Sequence, residues 1–185
     1  MKAFDRLLQH WRIWKVRPYL SPGARVLDIG CADGALHRQL KPYLGEMVGI
    51  DPDLDSCLET GGCKLFPGQF PRDLPEVGPF DAITMLAVLE HIPIEQQAQW
   101  ARECARLLKP KGYLIITTPS PMVDPILAAL KFLRVIDGMS LEEHYGFDPT
   151  CVPSVFSVDA MELVKARKFQ LGFNNLFVFK KSLVA

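Results

Sequence analysis

Val26-Leu27-Asp28-Ile29-Gly30-Cys31-Ala32-Asp33-Gly34 decides the fold. An apolar run ends in a glycine-bounded turn, and Ala35-Leu36-His37-Arg38-Gln39-Leu40 follows with helical character. Strand, tight turn and helix in that order open a nucleotide-binding α/β sheet. A second apolar strand, Met47-Val48-Gly49-Ile50-Asp51, ends in an acid. Asp51 lies 21 positions after Gly30, close to the about 20 expected for a ribose-binding carboxylate.

Downstream the alternation continues. The predicted order is strand 25–30, helix 34–42, strand 47–51, helix 54–60 capped by Asp53, and a short strand 63–66. A turn-rich loop at 67–71 follows, then a strand from Phe80 to Met85. The spacing predicts a helix from Pro93 to Leu108. Ile94, Ala98, Ala101, Ala105 and Leu108 share its apolar face, with Trp100, Cys104 and Leu107 at the border. Tyr113–Thr118 reads as a strand buried on both faces. Beyond Pro119 the pattern becomes irregular. An apolar helix is expected at 124–136, a loop at 142–147 and a helix start at Asp148-Pro149. Residues 158–167 have helix propensity, but strands at 161–170 and 175–181 around a Gly172-Phe173-Asn174 turn fit better. The expectation is a doubly wound, mainly parallel sheet with a C-terminal antiparallel hairpin. Its ligand cleft would lie at the carboxyl ends of the strands.

In front of this unit, residues 3–17 form an amphipathic helix with Phe4, Leu7, Leu8, Trp11 and Trp14 at helical spacing. Packing on the sheet is the favoured reading; tryptophans beside Arg6, Arg12, Lys15 and Arg17 also suit a membrane surface. The chain of 185 residues suits one domain, 1–185, with an acceptor-side insertion at about 119–147. It is 49% hydrophobic and 23% charged, and its 21 basic residues balance 21 acidic ones. Nothing in that balance recruits nucleic acid. Five cysteines without a close pair argue against a disulfide framework or a zinc site and fit free thiols. No metal is expected. With neither a signal-like N-terminus nor a spanning apolar run, a cytoplasmic protein is the expectation. Oligomeric state is not legible.

The chemistry of the turn narrows the ligand. A dinucleotide fingerprint wants glycine at the positions held by Gly30, Ala32 and Ala35. Ala32 adds a methyl where a pyrophosphate must approach, and Asp28 and Asp33 add negative charge. An adenosyl ligand bearing an ammonium and a sulfonium fits better, and its ribose still needs Asp51.

Together with Gly49-Ile50-Asp51, Phe80-Asp-Ala-Ile-Thr-Met-Leu-Ala-Val-Leu-Glu-His-Ile92 and Leu107-Leu-Lys-Pro-Lys-Gly-Tyr-Leu-Ile-Ile-Thr-Thr-Pro119, the opening stretch resembles the class I S-adenosylmethionine-dependent methyltransferases. The resemblance covers residues 24–119, and Phe169–Lys180 is similar to the closing hairpin of that family. Ala32 departs from the glycine that many members have. The resemblance implies S-adenosylmethionine as cofactor and methyl transfer to a small-molecule or lipid-linked acceptor, with peripheral membrane contact an open point. It implies that Gly30, Cys31, Ala32 and Gly34 line the methionine part and that Asp28 supports the turn or reaches the amino group through water. Asp51 would bind the ribose hydroxyls, Pro52, Gln69 and Phe70 would lie by the adenine, and Met85 and Leu86 would lie under the cofactor. His144 and His91 are the candidate bases, with Glu142, Glu143 and Tyr145 near the former. Asp33 is either a cofactor contact or a helix N-terminal acid. Asp51→Ala is expected to weaken cofactor binding with little loss of stability. The alternatives are an idle cofactor- or nucleotide-binding regulatory module and an NAD-dependent oxidoreductase.

Overall fold

A computed structural model describes residues 3–120 and 147–183. It builds one sheet of eight strands in the order β3-β4-β2-β1-β5-β6-β8-β7. The strands are β1 (Ala24–Ile29), β2 (Leu44–Asp51), β3 (Leu58–Thr60), β4 (Cys63–Pro67), β5 (Phe80–Leu86), β6 (Leu108–Pro119), β7 (Met161–Phe169) and β8 (Asn174–Lys181). β4, β2, β1, β5 and β6 run parallel, while β8 pairs antiparallel with β6 and with β7. The chain winds outward from β1 to β4, then returns to β1's other side with β5. The carboxyl ends of β1 and β5 therefore flank a topological switch point.

The helices are α1 (Ala3–Val16), α2 (Ala35–Leu40), α3 (Ile94–Leu107) and α4 (Val152–Phe156). Alternate residues of the central strands feed two cores. Leu27, Ile29, Val48, Ile50, Ile83 and Met85 pack with α3 and α4 on one face. Val26, Met47, Ala82, Ile115 and Val178 pack with α1 and α2 on the other. Central strands buried on both faces are why their sequences read as continuous apolar runs. Lys181 closes the C-terminus of α3, its ammonium donating to the carbonyls of Ala105 at 2.7 Å and Leu108 at 3.0 Å. Asp148 caps the turn into α4 by accepting from the Thr150 N–H at 2.9 Å.

Three local expectations are corrected. Residues 54–60 are not a helix: Leu58–Thr60 is β3, paired antiparallel with β4. Gly61 and Gly62 have φ of +51° and +87°, the left-handed pair that a tight hairpin turn requires, so the segment folds back on β4. The buried face of α3 is rotated from the expected one. Gln97, Trp100, Ala101, Cys104 and Ala105 are buried, whereas Ile94 and Ala98 are exposed. The edge contact between Trp100 and Phe70, with ring centroids 5.0 Å apart, belongs to that face. Finally, α1 packs through Ile13 and Val16, and Leu7, Trp11 and Trp14 are exposed. The expected helix at 124–136 lies outside the described residues.

Candidate functional site

The carboxyl ends of β1 and β2 are joined by the Asp51 side chain. Its Oδ2 accepts the Ala32 N–H at 2.7 Å and its Oδ1 accepts the Asp53 N–H at 2.9 Å. The Asp51 carbonyl accepts the Gly68 N–H at 3.1 Å, which brings the 67–70 loop to the same point. Only 7% exposed, Asp51 is thus a structural hub as well as a candidate ligand group. Each carboxylate oxygen keeps a lone-pair direction that the backbone does not use.

The turn after β1 is left-handed at three alternate residues, with φ of +74° at Gly30, +45° at Ala32 and +74° at Gly34. Gly30 is obligatory for a second reason. A Cβ there would lie 2.2 Å from Cγ2 of Val88, which sits over the turn from the far side of β5. The segment carrying Val88 is itself pinned, because Ala87 has φ of +61° and its N–H donates to the Thr117 carbonyl at 2.9 Å.

Beneath the turn, Asp28 accepts a hydrogen bond from the Thr84 hydroxyl at 2.6 Å. Burial pushes the Asp28 carboxyl up to about 7; the Thr84 bond opposes the rise and the nearby Asp51 charge adds to it. Asp33 is exposed and its carboxylate pairs with Arg38 at 2.6 Å. The wall of the cleft formed by Asp28, Asp33 and Asp51 is therefore acidic, and Arg38 is engaged locally. This donor set fits a cationic, phosphate-free nucleoside: two hydroxyl-accepting oxygens, a left-handed glycine turn and negative charge beneath it.

The other expected site residues fall into two groups. Pro52 and Gln69 are exposed at the rim beside Asp51, and Leu86 is half-buried at the end of β5. Cys31, Phe70 and Met85 are turned into the interior. Cys31 is 4% exposed, with its Sγ against Gly49; Phe70 is 5% exposed and packs on Trp100; Met85 is fully buried. These three shape the floor of the cleft from the core side. His91 is exposed in a short 3-10 turn, Leu89–His91, after β5. His144, Glu142, Glu143 and Tyr145 lie outside the described residues. Among the described residues no group of His, Cys, Asp and Glu could hold a metal ion.

Sequence reading missed Thr84, Val88 and Glu90. Glu90 is 3% exposed, and its Oε2 is buried without a hydrogen-bond partner. Burial pushes its carboxyl up to about 7, opposed by its own backbone N–H and by the Arg12 charge. Its position two residues after Val88 was the available signal; its burial was not. A second hollow, of about 140 Å³ and lined by Tyr19, Ser21, Asp81, Lys111 and Tyr113 among others, lies at the opposite end of the sheet, near the start of β1 and β5. It is remote from Asp51 and takes no part in the site.

Comparison with known proteins fits this geometry. A family model described as "Methyltransferase domain" matches residues 3–170. A ubiquinone biosynthesis O-methyltransferase of Xanthomonas oryzae pv. oryzae is 36% identical over 105 residues, covering 52% of this chain and 43% of that protein. The corresponding protein of Xanthomonas axonopodis pv. citri is 37% identical over 117 residues, covering 58% and 48%. The chain therefore spans less than half the length of these curated relatives. Among solved structures, the N-methyltransferase NodS from Bradyrhizobium japonicum superposes with a TM-score of 0.67 at 16% identity, covering 98% of both chains. The magnesium protoporphyrin IX methyltransferase from Synechocystis, solved with bound S-adenosylhomocysteine, gives 0.66 at 16% identity, covering 97% of this chain and 84% of that one.

Proposed function

The chain belongs to the methyltransferase domain family, and from that premise we propose that it transfers a methyl group from S-adenosylmethionine to a small-molecule acceptor. The observation that carries the proposal is the Asp51 carboxylate, held by two backbone N–H groups at the end of β2, facing a left-handed glycine turn whose neighbouring Arg38 is paired with Asp33. Bound there, the cofactor supplies an activated methyl group whose leaving group is a neutral thioether. The protein's part is then binding, orientation and exclusion of water. Asp51 accepts the ribose hydroxyls. Gly30, Ala32 and Gly34 let the backbone approach the methionine part, and a cationic ligand would favour the charged form of the buried Asp28, whose carboxyl is otherwise pushed up to about 7. Pro52, Gln69 and Leu86 border the adenine and the cofactor's underside. Val88 presses the turn from above and limits how the ligand enters.

We assign the acceptor side to the ends of β5 and β6 and, on the sequence pattern alone, to the segment 119–147. His144 is the proposed base or acceptor contact, and His91 is the second candidate. Two relatives named as O-methyltransferases support an oxygen nucleophile and a small-molecule acceptor, lipid-linked or free. All five cysteines are free thiols, in keeping with a reducing cytoplasmic setting.

Thermal unfolding with added S-adenosylhomocysteine, S-adenosylmethionine or NAD tests the reading. At a hundredfold excess over Kd, either adenosyl ligand should stabilise by about 2.7 kcal/mol, raising Tm by roughly 5–10 °C. Stabilisation by NAD alone overturns the proposal. Cofactor binding without methyl release across an acceptor panel would instead favour an idle regulatory module.

A further inference from the structure

Helix α1 has two faces that the fold treats oppositely. Ile13 and Val16 are 2% and 0% exposed against the sheet. The helix is anchored there, since the Gln170 Nε2 donates to the Leu8 carbonyl at 3.1 Å. On the other side of the helix, Leu7, Trp11 and Trp14 are 57%, 41% and 61% exposed. Positions 7, 11 and 14 form one helical stripe, about half a turn from the buried one. The third tryptophan, Trp100, is buried at 6%, so the exposure of the other two is a property of this helix.

Charge is concentrated at the same place. The first 19 residues hold five basic side chains and one acidic one, whereas the rest of the chain holds sixteen basic and twenty acidic. Arg6 is exposed on one flank of the stripe and Lys15 is half-buried on the other. Arg17 follows the helix, its guanidinium 4.2 Å from the centre of the half-exposed Tyr43 ring. An apolar stripe with tryptophan at its centre and basic residues at its margins is the pattern of a helix lying in a bilayer interface. Self-association through this stripe would set like charges against each other. No helix among the described residues is long and apolar enough to cross a membrane, so the contact would lie on the surface.

We infer that α1 seats the protein on an anionic bilayer surface. Leu7, Trp11 and Trp14 enter the boundary between headgroups and acyl chains, and Arg6, Lys15 and Arg17 meet the anionic headgroups. Gln170 directly follows β7 and stands beside β8, which starts opposite the carboxyl end of β6. Leu8 therefore anchors the N-terminal half of α1 toward the end of the sheet that carries Asp51, while Arg17, over Tyr43 just before β2, lies toward the opposite end. The inference does not depend on methyl transfer being the chemistry.

The test is flotation of the full chain with phosphatidylcholine vesicles, with and without phosphatidylglycerol. The protein should float with the anionic vesicles and not with the zwitterionic ones. Trp11→Ser/Trp14→Ser should weaken that binding at least about tenfold. Because both side chains are exposed, its thermal unfolding should match the parent's. Lys15→Glu and Arg6→Glu should each weaken binding by roughly fivefold or more, and they decide the matter if the tryptophan variant fails to fold. Emission from the parent should be quenched by brominated acyl chains in anionic vesicles only. Folded protein that ignores anionic vesicles, binding that survives the tryptophan and charge changes, or equal binding to zwitterionic vesicles overturns the inference. A concentration-dependent dimer abolished by Trp11→Ser/Trp14→Ser also overturns it and assigns the stripe to a second copy.

Discussion

Replacing Asp51 by alanine should damage the fold and the cofactor site together. A ribose-binding carboxylate at a strand end is expected to be dispensable for stability, but this one accepts two backbone N–H groups, from Ala32 at 2.7 Å and Asp53 at 2.9 Å. Hydrogen bonds to a charged group contribute about 1.5–3 kcal/mol each, and leaving a buried N–H without a partner adds to the loss. Because the two bonds share one carboxylate, their effects are not fully additive. Asp51→Ala should therefore destabilise by about 3–5 kcal/mol, which lowers Tm by roughly 6–20 °C in a chain of this size. Asp51→Asn keeps one acceptor oxygen and turns a donor toward the other N–H, so it should lose at least half as much. Urea unfolding measures both, and calorimetric titration with S-adenosylhomocysteine below the lowered Tm measures the site. Both variants should bind the ligand at least about tenfold more weakly. A loss of less than about 1 kcal/mol for Asp51→Ala would refute the hub role. Unchanged affinity in a folded variant would remove Asp51 from the ligand site.

Two further outcomes follow from the same region. Gly30→Ala meets a φ of +74° and Val88 Cγ2 at 2.2 Å, and should cost about 2–4 kcal/mol in urea unfolding. Adding Val88→Ala should recover the steric part and leave the backbone part, so a double-mutant cycle without coupling would contradict the geometry. The raised carboxyl of Asp28 also has a signed pH consequence. Its protons bind more tightly in the folded state than in the unfolded one, so its contribution to stability falls as pH rises from about 4 to about 7 and is level above that. The stability of the parent relative to Asp28→Asn should drop by about 4 kcal/mol across that window without ligand; a flat difference would show that Asp28 is not perturbed.

Much of the fold was legible because central strands buried on both faces write their burial into local composition. Val26–Ile29, Met47–Ile50, Ala82–Met85 and Leu114–Ile116 could be placed from their apolar runs, and Gly30 and Asp51 from the turn and strand end that they occupy. Residues 54–60 were misread because Asp53 and a short run of helix-compatible residues satisfy a local rule. Their actual state depends on pairing with Cys63–Leu65 through a left-handed Gly61-Gly62 turn. For α3 the period was right and the phase was not. Which of two neighbouring stripes is buried depends on Phe70, contributed by a distant loop. Within the site, Asp51 was visible as an acid at a strand end, but its two backbone bonds were not. Val88 over Gly30 and the buried Glu90 were equally invisible, since each is defined by packing between segments far apart in sequence.

By itself, then, the sequence determined the class of sheet, the glycine turn, the acid at the end of β2 and the kind of ligand that an acidic, alanine-bearing turn admits. These follow from periodicity, backbone conformation and charge, which are local properties of the chain. Only the tertiary structure decided which carboxylates are buried, which helix faces meet the core and which apolar side chains remain outside. Trp11 and Trp14 fit a packing stripe as well as an exposed one until Ile13 and Val16 occupy the surface offered by the sheet. Burial is settled by the partner surface that distant segments supply, and a local pattern carries no record of that partner.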